Sequence, residues 1–400
     1  MPRFEPFAGL RYRMSADIGE VTAPPYDVID EDERVELAAR SPFNAVHVEL
    51  PVDEEDGSGD RYQRAARHLR EWRERGILAP DDPSALYLYR MGYHDEEGNA
   101  RQTTGVIGAL ELSAPGEGDI LPHEETTPRA KSDRFQLLEA TKANLSPIWC
   151  LSQARHLSAF AEPLGPPFAR CTDEDGVHHR LWRVTSPAVV DGLVEVVASQ
   201  PVIIADGHHR YETALAYRDQ CRAEGAGAGG HDFILALVVE LADTELSVEA
   251  IHRVLSGLPA DLDVAEALSP WFRREPHDGD DALTSAMARV GALGLALPDG
   301  TTLLLVPRDD AFPDELPDLD ASRLEVARGG LPPHEISYHH GADAVVDQVA
   351  GRAGAAAVLL RPATVEQIGE SARQGVRMPP KTSYFHPKPR TGMVFRSLVG

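Results

Sequence analysis

Apolar residues at helical spacing and in short runs divide this chain into alternating helices and strands. In "RYQRAARHLREWRERGIL", Tyr62, Ala65, Leu69 and Trp72 recur on one helical face and Gly76 supplies a stop, which predicts a helix. "ALYLYRMGYH" and "TTGVIGALEL" predict two strands, and the acidic "DEEGNA" between them predicts a hairpin. Upstream, Pro24 and Pro25 impose an extended path, and Asp30 with Asp32 and Glu33 before "RVELAAR" marks a capped helix start. "NAVHVELP" then alternates and predicts a short strand, followed by a polar loop at 53–60.

Further along, "ILPHEETTPRAKSDRFQLLEATKANLSPIWCL" predicts a loop and then a helix carrying Phe135, Leu138 and Thr141. Asn144 and Pro147 end that helix, and "PIWCL" resumes an extended path. "RLWRVTSPAVVDGLVEVVASQ" predicts a strand and a helix, "IIADGHHRYETAL" a strand, a turn and a helix, and "HDFILALVVEL" a strongly apolar strand. Beyond Ile251, "DDALTSAMARVGALGL" reads as helical, whereas "TTLLLVP" and "AAAVLLRPA" read as strands.

This mixed succession, without internal repeats, predicts an α+β (mixed α/β) fold. Three regions are expected: an N-terminal α/β region over 1–110, a core over 111–250 and a C-terminal α/β region over 251–400. The tail 376–396 lacks helical spacing yet holds Met, Tyr, Phe and a final apolar strand, so it is expected to pack back on the core.

Composition narrows the functional classes. The 400 residues are 42% hydrophobic and 26% charged, enough for a buried core. A net charge of −25 opposes a nucleic-acid partner. No run approaches the roughly 18 apolar residues of a membrane span, and the N-terminus has no apolar export segment. Cys150, Cys171 and Cys221 are scattered and form no metal or disulfide pattern. A cytoplasmic protein with a small-molecule partner is the expectation; the sequence leaves the oligomeric state open.

The chemistry concentrates at "ADGHHR". A strand ending in Asp206 and Gly207 and feeding a helix exposes unpaired N–H groups and the positive end of the helix dipole. Gly207 lets backbone approach a ligand, and Arg210, His208 and His209 supply donors suited to phosphate. Asp206 either caps the helix or holds a metal or a substrate hydroxyl. Adjacent helical histidines point about 100° apart, so no protein metal site is expected from that pair.

Three further constellations stand beside it. In "LPHEETTPRAKSDRF", His123, Glu124 and Glu125 precede Arg129, Lys131 and Arg134, pairing a candidate proton acceptor with cations; a merely charged loop is the alternative. In "MPPKTSYFHPKPRTG", Lys381 and Lys388 flank Ser383, Tyr384 and His386, a set suited to a phosphorylated ligand or else to a plain edge strand. "APPYDVI" places Tyr26 and Asp27 in a turn or a site wall. His334, Glu335, His339 and His340 lack the H-E-x-x-H register and read as surface. No P-loop, Rossmann turn or G-x-S-x-G elbow occurs.

"FEPFAGLRY", "APPYDVI", "LPHEETTPRAKSDRFQLLEATKANLSPIW", "ADGHHRYETAL", "IHRVL" and "MPPKTSYFHPKPRTGMV" together resemble the bacterial and archaeal family named domain of unknown function 1015. More distantly, "LPHE" followed by "ADGHHR" resembles the ParB/sulfiredoxin-like fold and its free-serine kinases. That resemblance implies a ParB/sulfiredoxin-like core with added N- and C-terminal α/β elements. It also implies nucleotide phosphates held by residues 206–210 and Glu124, or alternatively Glu125, as the base for a hydroxyl. The segment between the two motifs is longer here, and the terminal additions exceed what a minimal kinase needs.

The resulting expectation is a phosphotransferase moving a phosphoryl group from ATP or ADP, with Mg²⁺, to a small hydroxyl compound such as serine. His123, Glu124 and Asp206 are its expected catalytic residues. Gly207, His208, His209, Arg210, Arg129, Arg134, Lys381 and Lys388 are expected to bind phosphate. Tyr26, Asp27, Glu125, Ser383 and Tyr384 are expected to bind substrate. A phosphatase or nucleotidase, or a non-catalytic nucleotide-binding regulator, is the alternative.

Overall fold

The strand Phe233–Glu240, read from the sequence as strongly apolar, is buried along almost its whole length. It lies at the centre of a mixed sheet because both its faces are covered. In this computed structural model the described residues are 1–15, 17–53, 60–95, 98–114, 116–122, 128–163, 165–242, 244–277 and 282–399, with backbone alone at 122 and 128–132.

Among them, the sheet runs Ile120–Pro122, Val202–Asp206, Ile148–Ser152, Phe233–Glu240, Ala100–Glu111, Leu86–His94, His178–Val184 and Ala169–Thr172, with Phe4–Glu5 added beside Ala100–Glu111. Val202–Asp206 is parallel to Ile120–Pro122, and Phe233–Glu240 is parallel to Ile148–Ser152; the other pairs are antiparallel. Leu86–His94 and Ala100–Glu111 form the expected hairpin. Ile148, Cys150, Ile204, Tyr211, Leu215 and Val238 belong to one buried cluster, which anchors the strand and helix on either side of the Asp206-Gly207 turn.

Local signals account for the helices. Asp30 accepts the Glu33 N–H at the start of Glu31–Arg40, and Asp60 accepts the Tyr62 N–H at the start of Arg61–Glu74. The latter helix buries Tyr62, Ala65, Leu69 and Trp72, and Gly76 at φ +69° turns the chain away. "NAVHVELP" departs from the reading as a strand: Val46–Glu49 is a short helix. Asn44 decides it, because its Oδ1 accepts the Val46 N–H while its Nδ2 donates to the Glu20 and Thr22 carbonyls. This side-chain anchoring outweighs a four-residue alternation, and the helix places Glu49 in the interior.

The described residues divide into two units, one ending at Ser247 and resuming at Pro387, the other spanning Val248–His386. The expected boundary at 110/111 falls inside the Ala100–Glu111 strand and separates no unit. The end of the chain belongs to the first unit: Phe395–Ser397 pairs with Gly9–Tyr12 and with Ala143–Asn144. Ala23 and Thr391 exchange backbone hydrogen bonds of 3.1 and 2.8 Å, which clamps the segment carrying Lys388 beside the one carrying Asp27.

The second unit contains an antiparallel sheet in the order Phe272–Pro276, Thr302–Pro307, Leu293–Ala296, Ala356–Leu359, His252–Ser256, Glu335–His339. Its core gathers Leu255, Phe272, Leu295, Leu305, Leu324 and Val358. His334, Glu335, His339 and His340 stand on or beside its edge strand, whose residues are half-buried to exposed. Among the described residues no group of three or more His, Cys, Asp or Glu is placed to hold a metal, and no helix is long and apolar enough to cross a membrane.

Candidate functional site

The Val202–Asp206 strand, read as the first half of a strand–turn–helix, delivers Asp206 directly to the helix His208–Ala223. Between them Gly207 adopts φ +94°, the left-handed region. A Cβ at this position would lie 2.8 Å from Ile148 Cγ2 and 3.1 Å from the Arg210 guanidinium. Glycine is therefore required twice, for conformation and for space. Gly207 has no side chain with which to cap the helix, whose positive dipole end faces the turn. His208 and His209 occupy its first two positions, half-buried.

Asp206 does not cap this helix. Its Oδ2 accepts from Arg210 Nη2 at 2.6 Å, and its Oδ1 accepts from Lys388 Nζ at 3.0 Å. Lys388 Nζ also donates to Asp27 Oδ2 at 2.5 Å. Burial alone would raise the Asp206 carboxyl, but the Lys388 and Arg210 cations reverse this and hold it well below the ordinary carboxylate range. Burial alone would lower the Lys388 ammonium, but Asp206 and Asp27 hold it above its ordinary range. Both groups are charged at neutral pH.

Arg210 is an internal fork rather than a solvent-facing one. Its Nη1 donates to Ser146 Oγ at 3.1 Å and to the Pro147 carbonyl, while its Nε has no hydrogen-bond partner. Ser146 Oγ in turn donates to Glu49 Oε1 at 3.3 Å. Arg134 donates to the Glu49 carbonyl at 2.8 Å, forks onto Asp133 Oδ2, and lays its guanidinium over the Tyr26 ring at 4.3 Å. Burial raises the Tyr26 hydroxyl above its usual range despite the nearby Arg210.

Polar groups thus run in an unbroken chain from Glu49 through Ser146, Arg210, Asp206 and Lys388 to Asp27. The strap holding Lys388 is fixed independently. Buried Arg390 donates from Nε to Thr22 Oγ1 and from Nη2 to the Thr22 carbonyl, and its N–H donates to Tyr89 Oη at 3.1 Å. Tyr89 Oη lies 2.7 Å from His179 Nδ1, and His179 Nε2 lies 2.9 Å from Asp173. Burial pushes the His179 imidazole below its ordinary value, with Asp173 opposing.

Of the residues expected from sequence, Asp206, Gly207, His208, His209, Arg210, Arg134, Tyr26, Asp27 and Lys388 all lie in the first unit. Hydrogen bonds, ion pairs and ring contacts join Asp206, Arg210, Lys388 and Asp27 in one group and Arg134 with Tyr26 in another. Arg129 lies in the first turn of the Pro128–Thr141 helix, and Lys131 follows it. His123, Glu124 and Glu125 lie outside the described residues.

Lys381, Ser383 and Tyr384 belong to the second unit, where the Lys381 carbonyl accepts from Arg253 and Tyr384 packs on His340. Glu49, Ser146 and Thr213 were not singled out by sequence. Glu49 carried no signal because its segment read as a strand, whereas Thr213, three residues after Arg210, shares that residue's side of the helix.

The sequence matches the family described as Protein of unknown function (DUF1015) over residues 4–323. The chain belongs to the DUF1015 family. No curated protein matches the sequence of this DUF1015 member. Among solved structures it is similar to SbnI with C-terminal truncation from Staphylococcus aureus, at 12% identity and a TM-score of 0.39, covering 71% of this chain and 85% of that one. It is similar to a free serine kinase mutant in complex with ADP, at 14% identity and a TM-score of 0.37, covering 67% and 84%. A conserved hypothetical protein from Pyrococcus furiosus matches at 13% identity and a TM-score of 0.35, covering 67% and 87%. Likenesses this distant leave the functional reading to the geometry of the site.

Proposed function

We propose that this DUF1015 protein is a small-molecule phosphotransferase that moves a phosphoryl group from ATP or ADP to a hydroxyl metabolite, with serine the first acceptor to try. The observation that carries the reading is the convergence of Lys388 and Arg210 on Asp206 beside the N-terminus of the His208–Ala223 helix, with Gly207 in the left-handed region. A helix N-terminus with two cations is complementary to a phosphate chain. Phosphoryl transfer asks a protein chiefly for positioning and charge neutralisation.

In this reading the backbone N–H groups at His208 and His209 cradle the phosphates, and Lys388 exchanges a carboxylate for a phosphate oxygen. Arg134 holds Tyr26 at the side of the site. Glu124 serves as the acceptor's proton acceptor, with His123 beside it and Glu125 as the alternative. Arg129 adds positive charge.

Mg²⁺ fits the same donor set. Asp27 and Asp206 already converge on one cation, the Lys388 ammonium, and carboxylate oxygens together with phosphates are the donors Mg²⁺ prefers. Asp27 and Asp206 would hold it, and when bound it would neutralise phosphate charge.

A ³¹P NMR screen of the protein with Mg²⁺, ATP or ADP and hydroxyl metabolites tests the reading. A new phosphomonoester resonance that is lost in Arg210→Ala supports it. Inorganic phosphate alone would make the protein a hydrolase, and binding without turnover a regulator.

A further inference from the structure

The strap that carries Lys388 is anchored through a buried histidine, and the bonds around that histidine fix where each proton sits. His179 lies on the His178–Val184 strand with Cys171 opposite it on one side and Met91 on the other. Tyr89, two residues from Met91, points to the same face of the sheet. His179 is 0% exposed and Tyr89 1%. His179 Nε2 lies 2.9 Å from Asp173 Oδ2, and Nδ1 lies 2.7 Å from Tyr89 Oη, which also accepts the Arg390 N–H at 3.1 Å.

One arrangement of protons satisfies all three contacts. Burial alone would raise the Asp173 carboxyl, but His179, the Val177 N–H and Arg390 hold it below its ordinary value, so it is a carboxylate. A carboxylate only accepts, and Nε2 therefore carries the hydrogen of the neutral ring. Nδ1 then accepts from the Tyr89 hydroxyl, and the phenolic oxygen is left to accept from Arg390. A second proton on His179 turns Nδ1 into a donor. The phenolic oxygen then meets two N–H groups, and its own hydrogen loses its acceptor in an interior closed to water. The charge-assisted bonds of the imidazolium are the stronger, so the neutral Arg390 N–H is the contact that yields.

The other charges about His179 act in the same direction or oppose it by known routes. Asp173 and Glu174 follow the Ala169–Thr172 strand, Cys171 lies on it, and His178 precedes His179. Arg390 Nη1 lies 3.9 Å from Asp173 Oδ2 and 3.6 Å from Glu174 Oε2, so an imidazolium competes with it for Asp173. The helix Glu31–Arg40 adds Arg40, which pairs with Glu174. Thr22 still holds the Arg390 guanidinium, which keeps the change local. Arg390 is two residues from Lys388, and Pro389 between them stiffens the link, so movement at the Arg390 amide is passed to Lys388.

The geometry points to a proton-operated latch in which neutral His179 locks the Lys388 strap and protonated His179 releases it. Burial lowers the His179 imidazole, so the lock holds at neutral pH and is lost as pH falls below about 6.5 through the folded value. That release would govern phosphate binding rests on the phosphotransferase reading. The latch itself does not.

The test follows the full-length protein, without nucleotide, by ¹⁵N NMR with labelled histidine and arginine from about pH 7.5 down to about 4.5. At neutral pH the His179 ring is expected to show a protonated Nε2 and a bare Nδ1. On acidification the Arg390 amide is expected to shift with the His179 midpoint, and its exchange protection, corrected for intrinsic rate, to fall at least about tenfold. His179→Gln, or His179→Asn where the former does not fold, assigns the ring signals and is expected to abolish this pH response. A protonated Nδ1 at neutral pH or an Arg390 amide indifferent to the His179 titration overturns the proposal. So does the same response in the folded variant, or global unfolding before His179 titrates.

Titrating ADP into the same sample separates the two claims. A strap that responds to His179 without ADP binding leaves the latch and removes the phosphotransferase reading. ADP binding at neutral pH beside an indifferent strap does the reverse.

Discussion

Lys388 Nζ lies 3.0 Å from Asp206 Oδ1 across 182 positions of sequence. The contact brings the segment that ends the chain onto the turn that starts the motif helix, and Asp27 at 2.5 Å completes it. Lys388 is 10% exposed, Asp206 20% and Asp27 28%, so these charges are neither fully dry nor fully screened.

Lys388→Met removes the shared cation while preserving the apolar stem. Asp206 keeps Arg210 but Asp27 loses its ammonium partner, so the variant is expected to be less stable by about 1–3 kcal/mol, below the range for a fully buried pair. Adding Asp27→Asn should recover part of the loss, because the two changes share one interaction. Urea denaturation of the two single variants and the double checks this; strict additivity would contradict it.

The pH dependence of the same group has a defined sign. Asp206 is depressed, so its contribution is present above the ordinary carboxylate value of about 3.9 and is lost as pH falls through the folded value. Lys388 is raised, so its contribution is present below about 10.4 and is lost as pH rises through the folded value. Glu49 runs the other way from Asp206: its carboxyl is raised, and the stability it contributes is lost as pH rises above about 4.3 through its folded value. Thermal melts between pH 4 and 8 should therefore show Glu49→Gln gaining on the parent protein as pH rises, roughly where that titration occurs. A constant difference would contradict this.

Gly207→Ala places a methyl against Ile148 and the Arg210 guanidinium at a positive φ. Its expected cost is about 1–3 kcal/mol, from strain and displaced neighbours together. Nucleotide binding is expected to fall further than stability does. Melting temperature and ligand titration on the same preparation distinguish the two effects.

Tyr89→Phe probes the support of the strap. It removes the oxygen that accepts the Arg390 N–H and meets His179 Nδ1, leaving two buried groups short of a partner. A loss of about 1–3 kcal/mol is expected. Hydrogen exchange of the Arg390 amide should accelerate; unchanged protection would place the anchoring elsewhere.

Most of this architecture was legible in the sequence wherever local chemistry and tertiary environment agree. Asp30 and Asp60 cap helices, Tyr62 to Trp72 bury a face, and the long apolar strand lies centrally. Asp206, Gly207 and Arg210 stood out because a strand feeding a helix through Asp-Gly is a compact local pattern. What stayed hidden depends on distant partners. Glu49 is brought inside by a four-residue helix whose leading Asn44 accepts the Val46 N–H and is anchored by its Nδ2 on the carbonyls of residues 20 and 22, and nothing local announces those two carbonyls. The role of Arg210 as a clamp on Ser146 and Pro147 was equally non-local, since those partners precede it by more than sixty positions.

The most direct test of the central claim is a calorimetric titration of ADP with Mg²⁺ into the parent protein and into Lys388→Met, each confirmed folded. Saturable binding in the parent, weakened at least about tenfold when one phosphate-facing cation is lost, is the predicted result. No binding by the folded parent, or equal affinity in both proteins, would contradict a phosphate site built from the 206–210 turn and Lys388.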